Sequence, residues 1–560
     1  MKHTMKRTLS PINRFWLLLK PDGKEIRNIY VYAFFNGLVS LSLPVGIQAI
    51  INLIQGGQMT TSWVVLVSFV ILGIIFSGIL QINQLKITEN LQQKIFTRAA
   101  FEFAYRVPRV KLEAIYRHYA PELMNRFFDV VAVQKGLSKV LIDFSTASIQ
   151  TIFGLILLCL YHPFFIVYSM VLVVLVYAIF KLTSAKGLST SLTESKHKYT
   201  VVHWLEEMAR SSIGFKLAGN AELPMRRVNN YTEEYIDSRD QHFRILKLQY
   251  ILMVAFKVLV AAGLLIVGSV LVMEQQMNIG EFVAAEIIIL LVMGSVEKII
   301  QSLETIYDLL ASIEKIAQVT DLELESNIGM SVEEEECEGG MSVEVKDVSF
   351  SYPYEKELVI KNLNLRIEGG SNVLLTGASN EGKSTLLYLI SNLYLPIQGS
   401  LILNELPARN YNPQKLRESM GALFLNETLF EGTVLENITM GRDRATMENV
   451  KWALKNVGLT RYIKSLPDGL STQISPQGKQ FSKGVVDKLL LARTIVDRPK
   501  LLLLKDVFSS MGEAEKLEIV KFLTNKENGW TLIMVSNSIE IRSMMDRVLE
   551  VKDKSIKDLK

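Results

Sequence analysis

Gly377-Ala-Ser-Asn-Glu-Gly-Lys-Ser384 is the stretch on which the reading turns. It matches the pattern G-x(4)-G-K-[ST]. It follows an apolar run, Asn372-Val-Leu-Leu-Thr376, that reads as a strand, and it precedes Leu386–Leu393, which reads as a helix. Strand, glycine-rich turn and helix in that order form the context in which this pattern cradles phosphate. The glycines let backbone amides turn toward phosphate oxygens. Lys383 reaches the β and γ oxygens, and the Ser384 hydroxyl is a candidate Mg²⁺ ligand. Gly377, Ala378, Ser379, Asn380, Glu381, Gly382 and Thr385 complete the candidate nucleotide-binding segment. Glu381 brings a negative charge into the loop and has to point away from a phosphate.

Outward from this motif the chain divides sharply. From Met341 onward, strand-like and helix-like segments alternate, as in an α/β domain. Before it, the pattern belongs to a membrane. Apolar residues make up 49% of the 560 residues, and the mean hydropathy is +0.23. A bilayer core of about 30 Å needs roughly 20 apolar helical residues. Asn28–Gln58 and Thr61–Leu85 carry no charged residue, and none falls between Asp143 and Lys181. That last stretch holds two spans with a break at His162-Pro163, where proline ends a helix. Leu248–Met273 and Phe282–Val296, each with a single charge, bring the expected number of spans to six. The net charge of +4 is small and does not point to nucleic acid. Cys159 lies in an apolar run and Cys337 in an acidic linker, so the two suggest neither a disulfide framework nor a metal cluster.

The connections at Ile54–Ser62, His162 and Glu274–Glu281 contain no Lys or Arg, whereas residues 86–142 and 184–247 carry many. Positive charge inside places both termini in the cytoplasm, as expected of a multi-pass protein of a bacterial inner membrane. Both long segments show helical periodicity and are expected to extend the membrane helices into the cytoplasm. The expected organisation is therefore residues 1–25 as a cytoplasmic N-terminal segment, with Phe15–Leu19 either an interfacial helix or a packed helix start. Residues 26–317 form a six-helix membrane domain, 318–340 an acidic linker containing Glu333–Glu336, and 341–560 a nucleotide-binding domain. The short apolar N-terminal stretch is too short for a signal-peptide core.

With these motifs the chain resembles the ABC transporter family, specifically exporter half-transporters whose membrane domain comes first. The resemblance runs from about residue 12 to the end. It implies a type I exporter-like six-span α-helical domain followed by an α/β P-loop domain that binds ATP with Mg²⁺. Val348-Ser-Phe-Ser-Tyr352-Pro looks like the strand that supplies the adenine-stacking aromatic, here Tyr352. Leu429–Ile438 resembles the segment after the family's Q-loop, and Leu491–Lys500 followed by Leu501–Leu504 resembles the signature helix and the Walker B strand. In this register several positions depart from the family's pattern. The Q-loop glutamine falls on Leu425, the Walker B aspartate on Lys505, the catalytic glutamate on Asp506 and the switch histidine on Asn537. The signature reads Phe481-Ser-Lys-Gly-Val485, which keeps Ser482 and Gly484, and the D-loop reads Ser509-Ser-Met-Gly512. All six histidines lie at or before His242.

These departures imply a site that holds nucleotide but hydrolyses it weakly or not at all. Lysine at the Walker B position sets a positive charge beside the metal. Aspartate at the catalytic position is one methylene short, and a misplacement of roughly 1 Å can cost about 100-fold. The resemblance implies a second half-transporter as partner, with a hetero-dimer favoured over a homo-dimer, and an unidentified transported substrate. Two other readings stay open: a non-hydrolysing, nucleotide-sensing scaffold, and an active homodimeric exporter. No peptidase segment precedes the membrane domain, so processing of leader peptides is not expected.

Two charges fall within expected spans, Lys257 and Glu286. Intramembrane charges are costly and mark candidate functional sites. Lys257 is expected about 24 Å below the outer surface and Glu286 about 8 Å, too far apart to pair. Lys257 is expected to snorkel toward the inner headgroups. Glu286 is the candidate for lining a membrane cavity, the alternative being a helix–helix hydrogen bond. By resemblance, Tyr116–Phe127 and Ser211–Glu222 are expected to dock on nucleotide domains, with Tyr119, Arg126, Phe127 and Phe215 as candidate contacts.

Overall fold

The structure, a computed structural model, describes residues 9–56, 61–332, 339–424 and 427–559. The acidic run Glu333–Glu336, Cys337 and Leu425 lie outside the described residues. The chain forms two compact units. One takes in the residues up to Pro108 together with His118–Leu322, and the other Arg109–Arg117 together with Glu323–Lys560.

The first unit is helical. Helix α1 (Pro11–Leu19) starts on Ser10, whose hydroxyl accepts from the Asn13 amide, with Pro11 at the first helical position where no amide partner is needed. Then come α2 (Gly23–Ser40), α3 (Ser42–Gln55) and α4 (Thr61–Arg106). The four-residue α5 (Leu112–Ile115) belongs to the second unit. It is followed by α6 (Ala120–Met124), α7 (Asp129–Lys139) and α8 (Ser145–Cys159), the last two joined by a π-helical turn at Val140–Phe144. Finally α9 (Phe164–Arg210), α10 (Ser212–Leu217), α11 (Leu223–Met273) and α12 (Ile279–Thr320) complete the unit. Six helical stretches among the described residues are long and apolar enough to cross a membrane. At 46, 47, 51 and 42 residues, α4, α9, α11 and α12 far exceed a bilayer's thickness, as the periodicity of their polar halves predicts. Helix α12 runs on to Thr320, so the first residues of the expected linker are helical.

Small residues let these helices approach closely. A Cβ on Gly154 would meet Val292 at 2.7 Å, and one on Gly187 would run into the Tyr307 ring. Beside Gly187, the Gln249 amide donates to both Thr183 Oγ1 (3.0 Å) and the Tyr307 hydroxyl (2.9 Å). An Asn278–Glu281 capping box starts α12, satisfying amides that begin a buried helix.

The membrane charges differ from expectation at Lys257. Its Nζ lies 2.6 Å from Glu297 Oε2 on α12. Glu297 stands one residue past the apolar run Phe282–Val296, so a count of charges within runs passes it over. It lies 18 residues into α12, about 27 Å deep, which matches Lys257 to within one turn. The pair therefore neutralises Lys257 by a partner at its own depth, and the ammonium need not reach the headgroups. Glu286 is half-buried, and its side chain has no hydrogen bond or ion pair among the described residues. It does not line one apolar cavity of about 190 Å³ whose wall includes Thr151, Phe256 and Val292.

The second unit is α/β. Strands β1 (Val343–Phe350), β2 (Ile360–Ile367), β4 (Gln398–Leu403) and β5 (Leu406–Pro407) form an antiparallel sheet in the order β2-β1-β4-β5. The larger sheet contains β3 (Asn372–Thr376), β6 (Met420–Leu423), β9 (Leu501–Lys505), β10 (Thr531–Val535), β11 (Arg547–Lys552) and β12 (Ser555–Asp558), in the order β12-β11-β3-β10-β9-β6. A short pair, β7 (Gly432–Thr433) and β8 (Gln473–Ile474), stands apart. All strands from β11 to β6 run parallel. Parallel strands are covered on both faces and read as unbroken apolar runs; Leu501–Leu504 are all fully buried. Helices α13 (Lys383–Ile390), α14 (Pro413–Glu418), α15 (Val434–Thr439), α16 (Met447–Asn456), α17 (Thr460–Ser465), α18 (Lys483–Ile495), α19 (Glu513–Leu523) and α20 (Ile539–Ser543) fill the connections.

The Lys257–Glu297 pair makes a testable case. Lys257→Met and Glu297→Gln should each lower thermal stability in detergent by about 1–3 kcal/mol, between the values for exposed and buried pairs. The double variant Lys257→Met/Glu297→Gln should recover most of that loss. Additive losses in a thermal-shift series would show that the two side chains do not act as a pair.

Candidate functional site

The site is built where parallel strands end. In an open parallel sheet, ligands bind beyond the carboxyl ends of the strands. Val535 of β10 is in register with Leu375 of β3 on one side and Lys505 of β9 on the other. The chain that follows each of these strands therefore leaves the sheet at one edge. After β3 come Gly377 and the loop, after β10 Asn537, and after β9 Asp506.

The loop's backbone explains its sequence. Gly377 has φ +134°, and a Cβ there would collide with the Val551 carbonyl of β11. Gly382, at φ +92°, is the residue from which α13 starts. Asn380 sits at φ +68°, a region asparagine tolerates better than most side chains. Ala378, Ser379 and Asn380 are exposed at the loop's crest. Lys383 folds its Nζ back onto the Gly377 carbonyl (2.9 Å) and the Ala378 carbonyl (2.5 Å). Burial lowers the Lys383 pKa most; Asp506 and Glu381 push it back up, and the like charge of Lys505 lowers it further. Four charged side chains thus share one local field. The Ser384 hydroxyl, on the first turn of α13, has no hydrogen bond among the described residues.

Asn537 is spent on the loop itself. Its Oδ1 accepts from Thr376 Oγ1 at 3.0 Å and from the Gly377 amide at 3.4 Å. Lys505 is half-buried at the end of β9, and its side chain makes no hydrogen bond or ion pair among the described residues. Asp506 is exposed, at φ +51°, with its amide donating to the Val535 carbonyl. Ser482 immediately precedes α18 and is exposed, while Lys483 pairs with Asp487 at 2.9 Å. A Cβ on Gly484 would stand 3.1 Å from the Ser510 carbonyl. Ser482 and Gly484 thus lie together at one helix start, next to the loop after β9.

Tyr352 is more occupied than its sequence suggests. Its hydroxyl is 2.9 Å from Thr385 Oγ1, which ties it to α13. Tyr116 stacks on it, with ring centroids 5.3 Å apart and planes 14° apart. Phe350 and Tyr394 stand near edge-on to it. The Tyr116 hydroxyl donates to Glu355 at 2.6 Å, and this bond raises its pKa to about 12. Arg117 lies over the Tyr354 ring at 4.0 Å. Nothing in the sequence pattern marks Tyr116 as a neighbour of Tyr352; the aromatic and acidic run Tyr352-Pro-Tyr354-Glu355 is the one local signal of this cluster.

The expected docking residues separate. Arg126 is buried in the helical unit, bonded to Glu122 and Gln318 and lying over Tyr199. Phe127 packs edge-to-face on Phe96 and Phe103. Tyr119 is exposed, and Phe215 on α10 packs edge-to-face on Trp204.

Tyr116 supplies a prediction. A stacked pair is worth about 0.5–1.5 kcal/mol. A base that used the covered face of Tyr352 would have to displace the Tyr116 ring. Tyr116→Ala should therefore tighten ATP binding by roughly 2- to 10-fold in equilibrium dialysis. Unchanged affinity would show that the base does not use that face.

Two family models match this chain, one described as the ABC transporter transmembrane region over residues 26–296 and one described as ABC transporter over residues 360–509. The Multidrug resistance protein homolog 65 of Drosophila melanogaster is 32% identical over 212 residues, which is 38% of this chain and 16% of the fly protein. The ATP-dependent permease MDL1 of Candida albicans is 28% identical over 293 residues, 51% of this chain and 42% of the yeast protein. The chain thus accounts for less than half the length of these relatives. A solved structure described as a bacterial Atm1-family ABC exporter with ATP bound has the same fold, with a TM-score of 0.79 at 16% identity over 95% of this chain and 94% of that one. With a membrane region of six apolar helices followed by a nucleotide-binding domain, the chain belongs to the ABC transporter family and has the layout of an exporter half-transporter.

Proposed function

We propose that this chain is the ATP-binding subunit of a membrane exporter, one that holds nucleotide at Gly377–Thr385 and hydrolyses it weakly or not at all. The carrying observation is the occupancy of the strand ends around the loop. Lysine stands at the end of β9 and Asn537 is bonded to the loop's own backbone. An amide side chain does not titrate and cannot take a proton from water. Asp506 is the one carboxylate that follows β9 directly, and it is exposed.

A triphosphate fits the cradle. Lys383 can trade its two loop carbonyls for phosphate oxygens, and the start of α13 presents amides and a favourable dipole. A divalent cation fits less well. Ser384 offers one hydroxyl, and where the metal-orienting carboxylate of a P-loop site would stand, Lys505 offers an ammonium. Positioned positive charge supports binding but does not replace the bridging geometry that hydrolysis requires. Retention of Ser482 and Gly484 at the start of α18 supports assembly with a second half-transporter, and the defects above favour a different chain as that partner. The arginine- and lysine-rich halves of α4, α9 and α11 support cytoplasmic termini in a bacterial inner membrane.

The test is direct. The purified chain should release phosphate from Mg·ATP at a rate within about 2-fold of the Lys383→Ala variant, a difference of roughly 0.4 kcal/mol in barrier. Turnover that is well above background and lost on Lys383→Ala would overturn the proposal.

A further inference from the structure

We propose that the Lys505 ammonium does the charge-balancing work of a divalent cation at this site, so that the chain binds a nucleoside triphosphate without metal. The inference rests on the reading above that Gly377–Thr385 holds the nucleotide, and it names a property of that site.

Placement comes first. Lys505 is in register with Val535, and Val535 with Leu375, two residues before Gly377. Two strand spacings separate Lys505 from Leu375, about 10 Å between their Cα atoms. A phosphate on the loop would lie between the Lys383 and Lys505 stems, both long enough to approach it from opposite sides. Availability comes second. Lys383 is committed to the loop carbonyls, but the Lys505 ammonium makes no hydrogen bond or ion pair among the described residues. A half-buried ammonium without a partner keeps a desolvation cost that an arriving phosphate relieves. A polyanion placed between them draws the two lysines to one ligand.

The same geometry disfavours the metal. A cation on Ser384 would face Lys505 across the site. Lysine is a point charge with rotatable donors, suited to neutralising phosphate and unsuited to fixing two oxygens in one geometry. Lysine at this position thus supports metal-free binding and adds to the reasons for weak hydrolysis.

The experiment uses the full chain in nanodiscs, titrated with ATP in excess Mg²⁺ and in EDTA. The expected result is dissociation constants equal within about 2-fold. Lys505→Asp should weaken binding in EDTA by roughly 10- to 100-fold, with Mg²⁺ restoring most of it. The wild-type comparison stands even where the variant does not fold. Binding at least 10-fold tighter with Mg²⁺ than with EDTA overturns the inference while leaving the nucleotide site in place. Absence of ATP binding in both conditions overturns the inference and the proposed function together.

Discussion

The parallel register of β3, β10 and β9 is the constraint on which the candidate site depends. Hydrogen bonds along two strand pairs hold Leu375, Val535 and Lys505 level. Whatever follows those residues is therefore delivered to one edge, however far apart it lies in sequence. Gly377 and Asn537 stand 160 residues apart in the chain and meet because of this register. The buried runs within the strands, Leu501–Leu504 above all, make the register costly to slip. The loop then follows from close approach. With the Val551 carbonyl against Gly377, the backbone turns where no side chain fits. That turn places Lys383 back over the loop's own carbonyls.

The helical unit solves a different problem. Its helices are far longer than a bilayer is thick, so one continuous helix has apolar neighbours along part of its length and polar neighbours along the rest. Close approach through Gly154 and Gly187 supplies packing where apolar burial gives no advantage over lipid. Polar side chains at the crossings find partners across helices, as Gln249 does with Thr183 and Tyr307. Lys257 and Glu297 follow the same logic with charge. Each stands at a similar depth on a neighbouring helix, and the ion pair spares both from facing hydrocarbon alone.

Much of this was legible in the sequence. The six spans follow from uninterrupted apolar runs, because a bilayer demands a length of helix that few soluble segments match. The break at His162-Pro163 falls between α8 and α9, where proline forbids continuation. The loop was legible because Gly377, Gly382, Lys383 and Ser384 stand at a fixed spacing between a strand and a helix, a pattern that sequence records. Lys257's partner was not legible, since depth equivalence between two helices is a property of their packing. Nor was the packing of Arg126, which is buried, and of Phe127, which is half-buried, against partners of their own unit.

Tyr352 and Asn537 mark the boundary between the two kinds of information. Sequence determined that an aromatic follows β1 and that an amide, with no histidine after His242, follows β10. It also determined that lysine ends β9, since residue type and strand order are both written along the chain. Tertiary structure alone decided that Tyr116 covers one face of Tyr352, that Asn537 is bonded to Thr376 and Gly377, and that Lys505 stands without a partner among the described residues. The physical reason is separation: these outcomes join segments that share no local periodicity, and only the register of the sheet and the packing around it bring them within reach of one another.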